Sequence, residues 1–308
     1  MNLIHIGLPK TASTTLQDRL FSNQDKFAYL GRFKNGYLNQ TTKEILERLT
    51  FEDSLEYDQS IMNALLQRAR NEMRISSRPI LVSAESLSVE GRADRRLIAE
   101  RLQELFAPAK ILIVLRSQPA MLQSMYLNDL RGSGQGILSF EAWLERVYGG
   151  IRYTETHRVG LNYEPVVRAY ESLFGRENVT VLPFEFIKDE NAIFFGRLSE
   201  LLQMEREEVQ RRLAMAENQR MSRRHMTALR IQHYLPSGTN LALLGRRLLP
   251  RPIYEPARNF VAGGARIGSP ELPTRWREHV AAICAVGNSR IAARLNLPLA
   301  ALGYPVAS

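Results

Sequence analysis

The chain has 308 residues, 44% hydrophobic and 24% charged, which suits a soluble globular protein with a sizeable core. No stretch approaches the roughly 18 consecutive apolar residues needed to cross a bilayer. No signal-peptide pattern opens the chain, and the single cysteine, Cys284, excludes an internal disulfide and a cysteine-rich metal site, so a reducing, cytoplasmic setting is expected. The 41 basic residues exceed the 32 acidic ones for a net charge of +9, which favours an anionic partner. The arginines are dispersed along helical stretches without interleaved aromatics, which argues against nucleic acid.

The first predicted element is an apolar strand over 2–7 (NLIHIG), with His5 expected in the core. It runs into PKTASTTLQ, where Lys10 precedes four hydroxyl side chains: Thr11, Ser13, Thr14 and Thr15. A helix starting near residues 12–14 would aim unpaired N–H groups and the positive end of its dipole at the loop. With Lys10 and the hydroxyls added, this is a site for a phosphate-type anion. A serine- and threonine-rich start that merely caps itself would look the same. The segment lacks the glycines of a nucleotide-triphosphate loop, and Pro9 offers no N–H, so a smaller anionic target fits better.

A second strand is expected over 79–84 (PILVSA), followed by Glu85, and a helix through Ile98, Leu102 and Leu105. A third strand, 110–115 (KILIVL), ends on Arg116; Pro119 then suits a helix start, with Ser124 about two turns in. Arg116 and Ser124 together could hold a second phosphate, the arginine bidentately. The glycines at 132–136 mark a mobile turn and an acceptor gate, and Arg152 and His157 in the following loop are candidates to touch an acceptor. Val166, Tyr170 and Leu173 predict a helix stopped by Gly175; a strand follows over 178–183 and a helix through Phe194, Leu198 and Leu201.

Residues 236–275 have poor periodicity and clusters of Pro, Gly and Arg, which reads as an irregular, lid-like excursion. The apolar residues of LLGRRLLPRP are expected to pack within it, with a lipid-surface role as the alternative. Residues 276–295 read as helix. Arg223 and Arg224 are expected on a helix surface and Cys284 in the core. Short apolar strands alternating with amphipathic helices imply a single α/β domain, its parallel sheet covered on both faces. Ligands of such sheets gather beyond the strands' carboxyl ends, at 8–15, 85–88 and 116–124.

Two motifs carry a family resemblance. PKTASTTLQ is similar to the 5′-phosphosulfate loop of sulfotransferases. LRSQPAMLQSMY resembles their 3′-phosphate motif, with Arg116, Ser124 and Tyr126 in register. The stretches LNYEPVVRAYESLFGRENVTVLPFE and NSRIAARLNLPLAALGYP resemble soluble bacterial members. The resemblance implies a P-loop-like α/β fold and transfer of a sulfonate from 3′-phosphoadenosine-5′-phosphosulfate, without a metal. The acceptor would be a hydroxyl, or less readily an amine, of a carbohydrate or related metabolite.

Carried over by position, Lys10 contacts the oxygen bridging phosphate and sulfate, residues 11–15 hold the 5′-phosphate, and Arg116 and Ser124 hold the 3′-phosphate. Glu85 falls where the family places its general base. Capping the next helix, or pairing with an arginine, would account for Glu85 equally. Arg266 and Gly268 resemble an R-x-G segment that covers the 3′-phosphate. Ala12 departs from the family's usual glycine, and Thr15 from its tryptophan. A metabolite kinase and a non-catalytic nucleotide-binding protein of the same fold are the competing readings.

Overall fold

The computed structural model describes residues 1–23, 25–33, 36–74, 77–88, 94–132, 138–148, 160–189, 191–214, 222, 224, 226–228, 231, 241–265 and 268–307. The chain divides into two compact units. Met1–Met121, Arg152–Ala216 and Glu278–Ser308 form the first; Leu122–Ile151 and Glu217–Arg277 form the second.

The first unit is built on a six-stranded sheet. Strand β1 (Asn2–Ile6) is followed by β2 (Ala28–Phe33), β3 (Gly36–Tyr37), β4 (Ile80–Ala84), β5 (Ala109–Leu115) and β6 (Val179–Pro183). Their spatial order is β3-β2-β4-β1-β5-β6, and every pairing is parallel except β2 with β3. Ile6 pairs with Ala84 on one side and Ile113 on the other, so β1 is central, and β1, β2, β4, β5 and β6 all release the chain at one rim.

Both sheet faces are covered, which is why β1, β4, β5 and β6 read as predominantly apolar runs. Ile4, Ile6, Val82, Ile111 and Ile113 face a core shared with α2 (Gln40–Phe51), α3 (Gln59–Glu72), α4 (Arg95–Phe106) and α7 (Glu164–Phe174). Leu3, Leu81, Leu112 and Val114 pack on the opposite face. There they meet the helix that follows β1 and helices α9 (Ala192–Leu202) and α10 (Arg206–Ala214). The alternation is the two-residue period of a strand. Gly175 ends α7 at φ 86°, a left-handed position that glycine occupies without a Cβ penalty.

Helices α5 (Gln118–Gly132) and α13 (Thr274–Leu295) each run through a boundary between the units. The second unit also contains α6 (Phe140–Tyr148), α11 (Leu241–Leu248) and α12 (Arg251–Ala262). Its aromatic core joins Tyr126, Phe140, Trp143, Tyr148 and Trp276, and Trp143 Nε1 donates to Asp129 Oδ2 at 2.9 Å. Where poor periodicity predicted an irregular excursion, α11 and α12 are helices, the second with Pro256 inside it. Leu244, Leu248 and Leu249, which were expected to pack inside this segment, stand exposed. The physical reason is that a helix with a Pro at its start and a break at Leu249–Pro250 needs only short-range spacing. Two helices of 8 and 12 residues are too brief to register as one period.

Candidate active site

The loop after β1 is shaped by backbone and hydroxyl contacts. Gly7 packs hard against the turn after β4: a Cβ there would lie 3.1 Å from both the Ala84 carbonyl oxygen and Glu85 Cα, and 3.2 Å from Glu85 N. Ser88 Oγ, buried, donates to the Gly7 carbonyl at 2.8 Å and to the Glu85 carbonyl at 3.0 Å. The first loop and the Glu85 turn are therefore stitched together. Glu85 itself opens a short 3₁₀ turn (Glu85–Leu87) directly after β4 and is half-buried.

Lys10 (φ 59°) and Ala12 (φ 62°) both take left-handed backbone conformations, with Thr11 between them outside that region. Such alternation curls successive N–H groups inward as an anion-binding nest. Helix α1 (Ser13–Leu16) follows and continues without a break as a π-helical stretch, Gln17–Phe21. Its first intrahelical bond is Leu16 N–H to the Ala12 carbonyl at 2.9 Å, so the N–H groups of Ser13, Thr14 and Thr15 have no acceptor within the helix.

The four hydroxyls divide. Thr11 Oγ1 and Ser13 Oγ are buried and turn back to the Leu8 carbonyl, at 2.7 and 3.3 Å, closing the loop on itself. Thr14 is exposed and Thr15 half-exposed at the helix start. Self-capping thus accounts for two of the hydroxyls, while the loop's backbone donors and Lys10 lie at the rim. Ala12 holds a positive φ that a glycine would adopt freely, so the loop stores strain there without unravelling.

Beneath the loop is a polar cluster in an otherwise apolar layer. His5 Nδ1 and Ser83 Oγ are 2.8 Å apart, and Gln17 Nε2 donates to Ser83 Oγ at 3.0 Å. His5 is fully buried against the Phe21 ring, and burial pulls its pKa down to about 3. It is neutral at any ordinary pH, a structural group as expected. Gln17, Ser83 and His5 anchor the helix after the loop to β4, two residues before Glu85.

The second loop meets the first. Arg116, half-buried just past β5, donates from Nη1 to the Lys10 carbonyl at 2.7 Å while its guanidinium lies 4.7 Å over the Phe184 ring. Its own carbonyl accepts from Tyr163 Oη at 2.7 Å. Ser117 N–H donates to Glu185 Oε1 at 3.0 Å, and Glu185 Oε2 accepts from Tyr304 Oη at 2.9 Å. Burial and the neighbouring Glu185 carboxylate push the Tyr304 pKa upward, so its hydroxyl stays a donor. Tyr163, Glu185 and Tyr304 hold Arg116 in place, and sequence reasoning missed all three. Glu185 opens the short helix α8 (Glu185–Lys188) just after β6 at the same rim, which was the available signal.

Lys10, residues 11–15, Glu85 and Arg116 therefore gather at one sheet rim in the first unit. Ser124 lies half-buried on α5 within the second unit, and Tyr126 is part of that unit's aromatic core, its hydroxyl donating to the Leu138 carbonyl at 2.9 Å. Gly268 is exposed, outside any helix or strand, in the second unit. Arg152, His157, Arg223 and Arg266, and the glycine turn at 133–136, lie outside the described residues. Among the described residues no three His, Cys, Asp or Glu side chains are grouped to hold a metal ion. No described helix is long and apolar enough to cross a membrane.

No family model matches the sequence, and no curated protein matches it. The structure is similar to that of a sulfotransferase from Alicyclobacillus acidocaldarius, with a TM-score of 0.55 and 19% identity over 98% of each chain. A sulfotransferase domain from the curacin biosynthetic pathway overlays at a TM-score of 0.40 and 12% identity, covering 99% of this chain and 98% of that one, and adds no weight. The first likeness establishes the fold: a mostly parallel α/β sheet flanked by helices, as in that sulfotransferase.

Proposed function

We propose that the chain is a sulfotransferase that moves a sulfonate from 3′-phosphoadenosine-5′-phosphosulfate to a hydroxyl, or less readily an amine, of a carbohydrate or related metabolite. The observation that carries the reading is the 2.7 Å hydrogen bond from Arg116 Nη1 to the Lys10 carbonyl. It supports assigning the two phosphate motifs to one nucleotide. The strained nest at Lys10 and Ala12 fits a 5′-phosphosulfate: it supplies backbone N–H groups and a full positive charge to a compact anion and has no cradle for a longer phosphate chain.

In this reading the acceptor oxygen attacks sulfur in line as the bond from sulfur to the bridging oxygen breaks. Lys10 and the N–H groups of residues 11–15 stabilise the charge that grows on the departing 5′-phosphate. Arg116 binds the 3′-phosphate and sets the nucleotide's register. Glu85, fixed to the first loop through Gly7 and Ser88, takes the acceptor's proton. Arg152, His157, Arg266 and Gly268 remain candidates for acceptor and 3′-phosphate contacts.

The test is transfer of a labelled sulfonate from the donor to a panel of glycans, lipids and small alcohols. Transfer is expected to be lost with Lys10→Ala. Glu85→Gln should bind the nucleotide product normally and turn over about 10²–10⁴ times more slowly. Labelling of no acceptor by the wild-type chain, or full activity in Glu85→Gln, would overturn the reading or the base assignment respectively.

A further inference from the structure

We propose that α11 and α12 form a docking surface for an anionic lipid membrane. The proposal is independent of sulfonate transfer. Amphipathic helices of a globular protein ordinarily bury their apolar stripe. Helix α12 buries no residue. Five of the 13 exposed large apolar side chains among the described residues fall within this one hairpin: Leu244 (43% exposed), Leu248 (68%), Leu249 (41%), Ile253 (56%) and Phe260 (61%). The remainder are scattered singly, which needs no explanation.

Their spacing is that of helix faces. Leu244 and Leu248 are four apart on α11, and Ile253 and Phe260 seven apart on α12. Gly245 and Tyr254 bring the two helices together, since a Cβ on Gly245 would lie 3.4 Å from the Tyr254 ring. Flanking the apolar residues are exposed Arg246, Arg247, Arg251 and Arg258, with Glu255 the segment's one acid, 3.8 Å from Arg258. Arg224, also exposed, adds a cation 3.9 Å over the Phe260 ring and leaves most of that side chain open.

This chemistry selects the occupant. A two-fold contact between copies of this hairpin would bring an arginine-rich patch against itself, with Glu255 the one acid on each side to offset it. An anionic headgroup layer accepts both features. The leucines, Ile253 and Phe260 enter the acyl boundary while the guanidiniums pair with lipid phosphates.

The test uses the full chain and vesicles of phosphatidylcholine, with or without phosphatidylglycerol, in sedimentation assays. The protein is expected to pellet with the phosphatidylglycerol vesicles, to remain soluble with phosphatidylcholine alone, and to release at high salt. Arg246→Gln with Arg247→Gln should weaken binding by roughly 25-fold, about fivefold for each cation removed. Leu248→Gln with Phe260→Gln should abolish it while leaving the unfolding midpoint unchanged. Failure of the wild-type protein to bind anionic vesicles, or equal binding to both compositions, would overturn the proposal. So would a dimer in solution that the Leu248→Gln, Phe260→Gln variant breaks, which would assign the surface to a second copy.

Discussion

Two single residues under the first loop carry measurable consequences. Ala12 sits at φ 62°, where an L-residue costs about 1–2 kcal/mol relative to the right-handed region. Glycine removes that cost but gains freedom in the unfolded chain, worth about 0.4–1 kcal/mol against it. Ala12→Gly is therefore expected to stabilise the protein by up to about 1 kcal/mol in denaturant titration; a clear destabilisation would mean that the alanine methyl contributes packing that outweighs the strain. His5 gives a pH dependence. Its folded pKa, about 3, lies below its ordinary 6.5 because burial disfavours the cation. The unfolded chain takes up a proton below pH 6.5 and the folded one does not until about pH 3, so stability present above 6.5 is lost as the pH falls through that window. The slope approaches about 1.4 kcal/mol per pH unit. Unfolding measured between pH 6.5 and 4.5 should show this slope in the wild type and lose it in His5→Asn.

At the level of elements, the site depends on two contacts between separate turns. Gly7 lets the first loop lie against Ala84 and Glu85, and the atoms a Cβ would meet are backbone atoms that cannot swing aside. Gly7→Ala is expected to cost about 1–3 kcal/mol by overpacking and to reduce turnover more than nucleotide affinity, because the displaced group is the Glu85 turn. An active, fully stable variant would contradict that coupling. The β1, β4, β5 and β6 strands were legible because a strand buried on both faces is mostly apolar, as Leu3, Ile4 and Ile6 of β1 and residues 111–115 (ILIVL) of β5 are. Strand β2 was not: AYLGRF carries Gly31 and Arg32 and lies toward the sheet's edge, beside the two-residue β3. The loop after β1 and Arg116 could be read from local pattern. Glu185 could not, because it reaches Ser117 across 68 residues and Tyr304 across 119, and no local pattern encodes such separations.

For the whole molecule, parallel topology places five strand ends on one rim, and the first unit gathers Lys10, Glu85 and Arg116 there. Position along the sheet was therefore a better guide to the site than any one motif. The second unit holds Ser124 and the exposed hairpin, and its helices at 241–262 show why irregular composition is a poor predictor of irregular backbone. The central claim is that the rim holds both phosphates of one adenosine nucleotide. It is tested most directly by calorimetric titration of wild type and Arg116→Ala with 3′-phosphoadenosine-5′-phosphate and with adenosine-5′-phosphate. The account predicts that the wild type prefers the doubly phosphorylated ligand and that Arg116→Ala removes most of this preference while changing adenosine-5′-phosphate affinity little. Equal losses for both ligands, or no preference in the wild type, would contradict it.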